Sequence, residues 1–451
     1  MATLIWVLLL GASALFAVSG WFRARLAGVV AVLAAVTGIS GTALSLTMPQ
    51  PVELSFPWPV PLGRFAIGLD AMSVAFLVVV LVIPALGAVY GAGYFAPSHP
   101  TARRTRLAYG VLPAAMIFVV VARDAMVLLV AWEVMALAAF VAISADDHEP
   151  HVRESSWVYL IATHIGTLCL IAAFAVVAKS TGDLSLRVVT GLGSGATLTV
   201  AALFWVGFGM KAGLMPLHVW LPGAHANAPS HVSAVMSGVV LKMGVYGLLR
   251  MASLLPELDA TAGAVLLALG ATSTVLGAAF AVAQSDLKRL LAYSSIDNIG
   301  IAAMGIGLAI IGRAHGRADL VVLGIVGATL HVWNHALFKP LLFFVAGSVI
   351  HETGTRSMDR LGGLAKRLPK TSRAALIGAV ALAGLPPLNG FASELVIYTG
   401  LFRAALVSEW AALAAPALAM GGALTLVAML KLYGSVFLGS PRTTLAGGEH
   451  G

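Results

Sequence analysis

The sequence predicts an all-α, polytopic membrane protein of about thirteen transmembrane helices, and three observations support this fold class. First, 59% of the 451 residues are hydrophobic and only 10% are charged, whereas soluble domains carry about 25% charged residues. Second, apolar runs long enough to cross a bilayer recur along the chain, with short loops between them. Third, motifs in the two halves of the chain recur in the same order, which predicts an internal repeat.

Taken in order, the predicted helices leave no room for a soluble domain. The first has no basic residue before its apolar run, and Arg23 and Arg25 follow it; we therefore expect an uncleaved helix rather than a signal peptide. The predicted spans are 2–20, 27–47, 66–94, 107–122, 125–144, 156–178, 194–217, 230–252, 259–283, 287–311, 318–349, 373–402 and 410–438. They group into three N-terminal helices (1–106), a first five-helix repeat (107–252), a second repeat (253–438) and a short cytoplasmic tail (439–451).

The basic character of the chain is explained by its membrane topology. The net charge is +8 and the pI about 9.8, but fifteen of the 27 Lys and Arg residues lie in the loops and tail on one predicted side. The positive-inside rule therefore places the N-terminus outside and the C-terminus in the cytoplasm, and nucleic acid is not an expected partner. The single cysteine, Cys169, excludes an intrachain disulfide and an iron–sulfur cluster held by this chain alone.

The internal repeat rests on three matches in register. Asp124 and Asp286 each open a predicted helix, residues 212–217 (AGLMPL) recur as 383–388 (AGLPPL), and Leu-Lys precedes Tyr-Gly around both Lys242 and Lys431. Each unit has five helices, and an odd number inverts the second copy in the membrane. Proline and glycine are expected to break the seventh and twelfth helices at corresponding depths. Two ordinary proline kinks are the simpler alternative.

Four lysines lie well inside predicted spans: Lys211, Lys242, Lys339 and Lys431. Each opposes insertion by roughly 2.5–3.5 kcal/mol, so such residues usually face a protein interior or a wet cavity on an ion path. Glu133, in the fifth helix, is the expected partner of Lys211. Lys242 has no acid within one turn, and burial favours its neutral amine, which suits a group that takes up and releases protons.

In the second half, His331, His335 and Lys339 recur every four residues and so share one helix face. Asp297 lies in the tenth helix, and Glu394 follows the break in the twelfth. A polar thread along the middle of the membrane that could carry protons is predicted from seven residues, Glu133, Lys211, Lys242, His335, Lys339, Glu394 and Lys431. His331, Asp297 and Lys431 are the possible entry or link residues. The alternative is a set of buried ion pairs that fix helix packing, and Lys431 could instead extend to the membrane surface.

The remaining histidines support weaker hypotheses. His218, His225 and His231 flank the turn after the seventh helix and could either admit protons or bond helix ends and loop carbonyls. His164 is expected to be a buried hydrogen-bonding residue rather than a relay. No metal site is predicted, because His331 and His335 have the spacing of zinc ligands but no third ligand follows.

Several of these motifs resemble a known family. Glu133, the run 211–222, Lys242 and the run 286–295 resemble the antiporter-like subunits of respiratory complex I and its relatives, over roughly residues 66–438. The runs 295–300, 331–339 and 384–394, with His351 and the residues after it, most resemble the large membrane subunit of formate-hydrogenlyase-type membrane-bound hydrogenases.

The resemblance implies a core of fourteen helices with two inverted repeats, and a role for each matched position. Glu133 and Lys211 would form a switching ion pair, and Lys242 would be the central proton carrier. His335 and Lys339 would link the two halves of the proton path, and Glu394 would be the terminal site of the second half-channel.

The resemblance also implies a function and partners. The chain would be a proton-translocating subunit of a redox-driven complex in a prokaryotic inner membrane, with H⁺, or alternatively Na⁺, as the ion. No cofactor is expected in this chain; other membrane subunits and a soluble redox arm would carry iron–sulfur clusters and a nickel–iron or quinone site. The alternatives are a subunit of a multisubunit cation/proton antiporter and the membrane engine of an inorganic-carbon uptake complex. Since the chain stops soon after the thirteenth helix, a lateral coupling arm is not expected.

Overall fold

The computed structural model describes residues 1–59, 64–95 and 99–442, so most of the predicted cytoplasmic tail lies outside the described residues. In the described part, the long regular elements are helices, with one hairpin of two strands, β1 (Val52–Pro57) and β2 (Arg64–Leu69). The helices are α1 (Ala2–Ser19), α2 (Ala24–Ser45), α3 (Ala71–Gly91), α4 (Ala102–Val121), α5 (Ala125–Ile143), α6 (Pro150–Thr181), α7 (Ser194–Ala212), α8 (Trp220–Asn227), α9 (Ser230–Val235), α10 (Leu241–Leu254), α11 (Ala260–Ala283), α12 (Leu287–Ala314), α13 (Ala318–Thr353), α14 (Pro369–Leu382), α15 (Asn389–Ala404) and α16 (Glu409–Phe437).

Among the described residues, twelve helical stretches are long and apolar enough to cross a membrane, which confirms a multi-pass membrane protein. They are α1 to α7, the continuous stretch Ser230–Leu254, and α11, α12, α13 and α16. The predicted span 373–402 is not among them, because it is divided between α14 and α15, which have 14 and 16 residues. The difference from thirteen thus comes from the break in the twelfth predicted helix.

The β-hairpin was not predicted, and the expected start of the third helix at residue 66 is wrong. Residues 64–69 pair antiparallel with 52–57, with Val52 opposite Leu69. The helix begins only after Asp70, whose side chain accepts a hydrogen bond from the backbone N–H of Ser73. An aspartate in this position satisfies a free amide of the first turn and so fixes where the helix starts.

The chain divides into two compact units. The first comprises residues 1–213, 217–220 and 227–262, and the second comprises 214–216, 221–226 and the chain from Gly263 onward. The structure does not test the finer four-part division drawn from the sequence.

Aspartates cap helices that begin at corresponding places in the two units. Asp124 accepts from the N–H of Met126 at the start of α5, and Asp286 accepts from two N–H groups at the start of α12. Asp286 also pairs with Arg356 at 2.6 Å. Both caps lie where the sequence placed helix starts, while the inverted relation between the repeats stays a prediction.

Both predicted helix breaks are present. The helix α7 ends at Ala212, and Gly213 follows with φ +80°. In the second unit, α14 ends at Leu382, Gly384 has φ +63°, and α15 begins at Asn389. A positive φ is nearly free of steric cost only for glycine, which explains why the chain can turn out of each helix at these points. The peptide bonds Met215–Pro216 and Pro386–Pro387 are cis.

Candidate functional site

In the first unit, Lys211 is enclosed by α5, α6 and α7. Its side chain is 2% exposed, and Nζ donates to the hydroxyls of Thr163 and of Tyr159, the latter at 3.3 Å. The rings of Trp132 and Tyr159 lie 5.5 and 5.1 Å from Nζ, in a cation–π arrangement. The ammonium is therefore held by hydroxyl oxygens and aromatic faces.

Glu133 on α5 contacts the same helix α6 one turn further along. Thr167 Oγ1 donates to Glu133 Oε1, and His164 Nε2 lies 3.3 Å from Oε2. Because Thr163 binds Lys211 and Thr167 binds Glu133, the acid and the ammonium are connected through one turn of α6 rather than by direct contact among the described residues. Their predicted switching ion pair stays a prediction.

The expectation that His164 is buried is wrong. Its side chain is 47% exposed, and that of Glu133 is 29% exposed. The apolar character of the surrounding run concealed this exposure, since lipid-facing and core-facing residues of a membrane helix are equally hydrophobic.

Lys242 lies at the start of α10, directly after a π-helical segment over Met236–Val240. Its side chain is fully buried, and Nζ donates to the backbone oxygen of Ser237 within that segment. A π-helical turn shifts backbone carbonyls out of the regular ladder and is frequent at functional sites. The helix packs closely on α7, where a Cβ on Gly244 would lie 2.5 Å from the backbone of Phe208 and Ala212.

One charged cluster of the first unit was missed by the sequence reasoning. Arg250 donates to both carboxylate oxygens of Asp70 at 2.5 and 3.1 Å, and Arg123 lies 3.3 Å from the same carboxylate. Burial opposes ionisation of Asp70, but the hydrogen bond and charge of Arg250, with the charge of Arg123, hold its pKa well below the usual range. The pairing joins residues 180 positions apart in the sequence, so the sequence alone does not reveal it.

In the second unit, the predicted polar face of α13 is present. The rings of His331 and His335 lie parallel with centroids 6.5 Å apart, and Lys339 Nζ donates to Ser294 Oγ on α12 at 2.6 Å. All three predicted residues are at most 1% exposed. His331 Nδ1 also lies 3.0 Å from Ser393 Oγ on α15.

Asp297 lies one turn after Ser294 on α12 and is 1% exposed. Its Oδ2 accepts hydrogen bonds from Thr425 on α16 at 2.6 Å and from Asn298 at 3.3 Å. The helix α11 approaches this point closely, since a Cβ on Gly277 would lie 2.7 Å from the backbone nitrogen of Asp297. The carboxylate of Asp297 therefore accepts from two neutral donors, one on its own helix and one on α16.

Glu394 lies in α15 beside the helix break. Its carboxylate is packed so closely on Gly384 that a Cβ there would lie 2.7 Å from both carboxylate oxygens. Asn334 of α13 donates to the backbone oxygen of Asn389 at 2.6 Å, which ties the first turn of α15 to the histidine face of α13. The break thus positions the acid predicted as a terminal site.

Lys431 on α16 donates to the backbone oxygens of Val282 and Gln284, each at 2.8 Å. These carbonyls lie at the C-terminal end of α11, where a cation satisfies free acceptors and complements the helix dipole. Lys431 therefore anchors the C-terminal end of α11.

The three loop histidines lie in different surroundings. His218 follows α7 and is half-buried; His225 is buried in α8 and stacks on Phe343 at 5.4 Å. His231 is 4% exposed at the start of α9, with Tyr94 and Tyr109 ring centroids 5.1 and 5.4 Å away. Proton entry and the bonding of helix ends both stay predictions for these residues.

Within the described residues, no group of three or more His, Cys, Asp or Glu side chains is arranged to hold a metal ion. The described residues of the two units offer titratable side chains, hydroxyls and backbone oxygens among apolar helices. Such an arrangement can bind, hold and pass protons.

Comparison with known proteins identifies the relatives of this arrangement. Residues 122–419 match the family described as NADH:quinone oxidoreductase/Mrp antiporter, transmembrane. Hydrogenase-4 component B of Escherichia coli K12 is 35% identical over 94% of this chain and 64% of that protein. Formate hydrogenlyase subunit 3 of the same organism is 39% identical over 76% of this chain and 57% of that protein.

A solved structure has the same fold. A chain of the Mrp complex from Dietzia sp. DQ12-45-1b aligns with a TM-score of 0.82 and 28% identity, over 96% of this chain and 47% of that chain. The present chain thus spans less than two thirds of the length of these relatives.

Proposed function

The chain belongs to the NADH:quinone oxidoreductase/Mrp antiporter family, and we propose that it is a proton-translocating membrane subunit of a redox-driven, complex-I-like assembly. The observation that carries the proposal is the burial of three lysines within apolar helices. Lys211, Lys242 and Lys339 are 2%, 0% and 0% exposed. Charged groups are costly at this depth, and those that persist there commonly belong to an ion or proton path.

The contacts of these lysines support proton exchange. A carboxylate partner would hold a buried lysine in its protonated form, whereas hydroxyl and carbonyl oxygens leave the neutral amine available as well. Lys211 and Lys339 donate to hydroxyls, and Lys242 donates to a backbone carbonyl. Across the described ranges, neither Lys211 nor Lys339 has a carboxylate at ion-pair distance.

In the proposed mechanism, the charge at Glu133 controls the first unit. A change in that charge would act on Lys211 through the threonine pair of α6, Thr163 and Thr167. A protonated Lys211 would oppose a proton on Lys242 by charge repulsion, and a neutral Lys211 would remove that repulsion. Asp297, Lys339 and Glu394 would hold protons in the second unit.

We further propose that partner chains supply the redox chemistry, with iron–sulfur clusters and a nickel–iron or quinone site. The relatives named as a hydrogenase-4 component and a formate hydrogenlyase subunit support this assignment. The assembly would lie in a prokaryotic inner membrane, with the N-terminus of this chain outside.

The test is Lys242→Ala in the complete assembly, reconstituted in proteoliposomes. Proton translocation is expected to be lost while redox turnover by the partner chains stays measurable, because the carrier amine is removed without touching their cofactors. Lys179→Ala is the matched control, since Lys179 is exposed in the last turn of α6 and should pump as the unaltered protein does. Undiminished pumping by Lys242→Ala would remove the carrier role.

The likeness to the Mrp complex favours one second candidate, a cation/proton antiporter subunit without redox partners. Mass spectrometry of the intact assembly, extracted in mild detergent, separates the two. A cluster-bearing subunit supports the redox-driven complex, and a set of small membrane subunits alone supports the antiporter.

A further inference from the structure

His164 contacts oxygen atoms with both of its ring nitrogens. Nδ1 lies 2.8 Å from the backbone oxygen of Leu160, one turn earlier on α6. Nε2 lies 3.3 Å from Oε2 of Glu133 on α5. The imidazole therefore bridges its own helix backbone and the acid that controls Lys211 in the proposed mechanism.

These two contacts determine which ring nitrogen faces each oxygen atom. A backbone carbonyl can only accept a hydrogen bond, so Nδ1 carries hydrogen, and in the neutral ring Nε2 is then an acceptor. An acceptor nitrogen cannot bond to an ionised carboxylate, because both groups present lone pairs. A proton placed between Nε2 and Oε2, on the imidazole or on the carboxyl group, would allow the two groups to bond.

We propose that His164 and Glu133 form one proton-holding pair, in which His164 sets the charge that Glu133 presents toward Lys211. This inference rests on the proposed function and adds a residue to it. When the proton moves from His164 to Glu133, the Nε2–H bond breaks and an Oε2–H bond forms, and the carboxylate becomes neutral. No electrons are exchanged and no other reactant is needed.

The structure provides a route for that change in charge. Thr167 Oγ1 contacts Glu133 Oε1 and lies 3.1 Å from the backbone oxygen of Thr163. Thr163 Oγ1 in turn accepts from Lys211 Nζ. Loss of the negative charge at Glu133 therefore alters the hydrogen bond of Thr167 and the field at Lys211 within one turn of α6.

Few other titratable groups face the pair. In the helices packed on α6, Glu133 is the only acidic or basic residue of α5, and Lys211 the only one of α7. Tyr159, on α6 itself, contacts Lys211. Asp146 lies in the short turn before α6 and pairs with His99 at 3.1 Å. It is separated from His164 along the helix axis, because the 14 residues from the start of α6 to His164 span roughly 20 Å.

The test is the pH dependence of proton translocation by His164→Gln in the complete assembly. In the unaltered protein, loss of one shared proton should lower the rate by about tenfold per pH unit above the midpoint of the pair. Glutamine can still donate to Glu133 but cannot take up a proton. The variant should therefore lose this pH step. The infrared band of protonated Glu133 is assigned by its absence in Glu133→Gln. In His164→Gln, the pH at which this band appears should differ from that of the unaltered protein.

The control is His148→Gln. His148 also lies near a glutamate, with Nε2 3.6 Å from Glu149 Oε1, but it is 68% exposed in the loop before α6, so its replacement should leave the profile unchanged. If His164→Gln does not assemble, His164→Phe keeps a ring in place and undergoes the same measurements.

The outcomes separate this inference from the proposed function. A His164→Gln profile and Glu133 band that match the unaltered protein, while Lys242→Ala abolishes pumping, would overturn the inference alone. Unchanged pumping in both variants would overturn the proposed function as well.

Discussion

Asp70 illustrates how single residues in this chain make a buried charge tolerable. Arg250 donates to both oxygens of its carboxylate, and Arg123 adds a second positive charge. Burial alone would disfavour the ionised acid, yet these partners hold the pKa of Asp70 well below its ordinary value. The cluster joins the start of α3 to α10 and so fixes the helix that carries Lys242.

Asp70→Asn should therefore lower stability in a pH-dependent way. Hydrogen bonds to charged groups contribute about 1.5–3 kcal/mol. Because the pKa of Asp70 is lower in the folded than in the unfolded protein, its contribution is complete above about pH 5 and declines as pH falls below about 4. Thermal unfolding in detergent from pH 3 to pH 8 should show a deficit that is constant near neutrality and shrinks in acid.

Glu154→Gln is the control for this measurement, because Glu154 is exposed on α6. A deficit that grows in acid, or equals that of the control at pH 7, would contradict the role of the pair.

Single residues also show how much of the site the sequence could predict. Lys211, Lys242 and Lys339 were predictable as buried, because each interrupts an apolar run and charge in such a run must face protein or water. Their partners were not. Thr163 and Thr167 carry no signal in sequence, since threonine in a membrane helix commonly bonds its own backbone.

At the level of elements, the helix breaks position the acid of the second unit. Gly384 has φ +63°, and the Glu394 carboxylate lies where a side chain at this position would extend. The break and its glycine were visible in the sequence. The proximity of the carboxylate was not, because it depends on how α14 and α15 approach each other.

Gly384→Ala should impair both stability and transport. A residue with a Cβ in the left-handed region costs roughly 1–2 kcal/mol, and the new methyl group must also displace Glu394. Thermal unfolding and proton translocation are measured together. Gly182→Ala is matched to it, because Gly182 has φ +79° with nothing within 4 Å of the added Cβ. It should lose similar stability and retain transport; equal transport in both variants would argue against the importance of this packing.

The β-hairpin was missed for a different reason. Its strands have six residues each, and β2 is continuous in sequence with the apolar run of α3. Alternation over six residues is a weak signal beside a run of more than twenty apolar residues. The boundary between β2 and α3 is set by Asp70, which accepts a hydrogen bond from the N–H of Ser73 at the start of the helix. The sequence suggests this cap only once the strand is known.

At the scale of the whole molecule, orientation in the membrane follows from charge in the loops. Fifteen of the 27 Lys and Arg residues lie on one predicted side, and that side is expected to face the cytoplasm. The hairpin would then lie outside, and the loop before α6 would lie in the cytoplasm. Because Cys169 is the single cysteine, a Cys169→Ala background allows one introduced thiol to report on each side.

Ser55→Cys, in exposed strand β1, and His148→Cys, in the exposed loop before α6, provide the matched pair. A maleimide that cannot cross membranes should label the Ser55 variant in right-side-out vesicles and the His148 variant in inside-out vesicles, because each thiol is reachable only from its own side. The unlabelled Cys169→Ala background is the control. The reverse pattern would place the N-terminus in the cytoplasm, and labelling of both variants in one type of vesicle would contradict the odd number of crossings between the two positions.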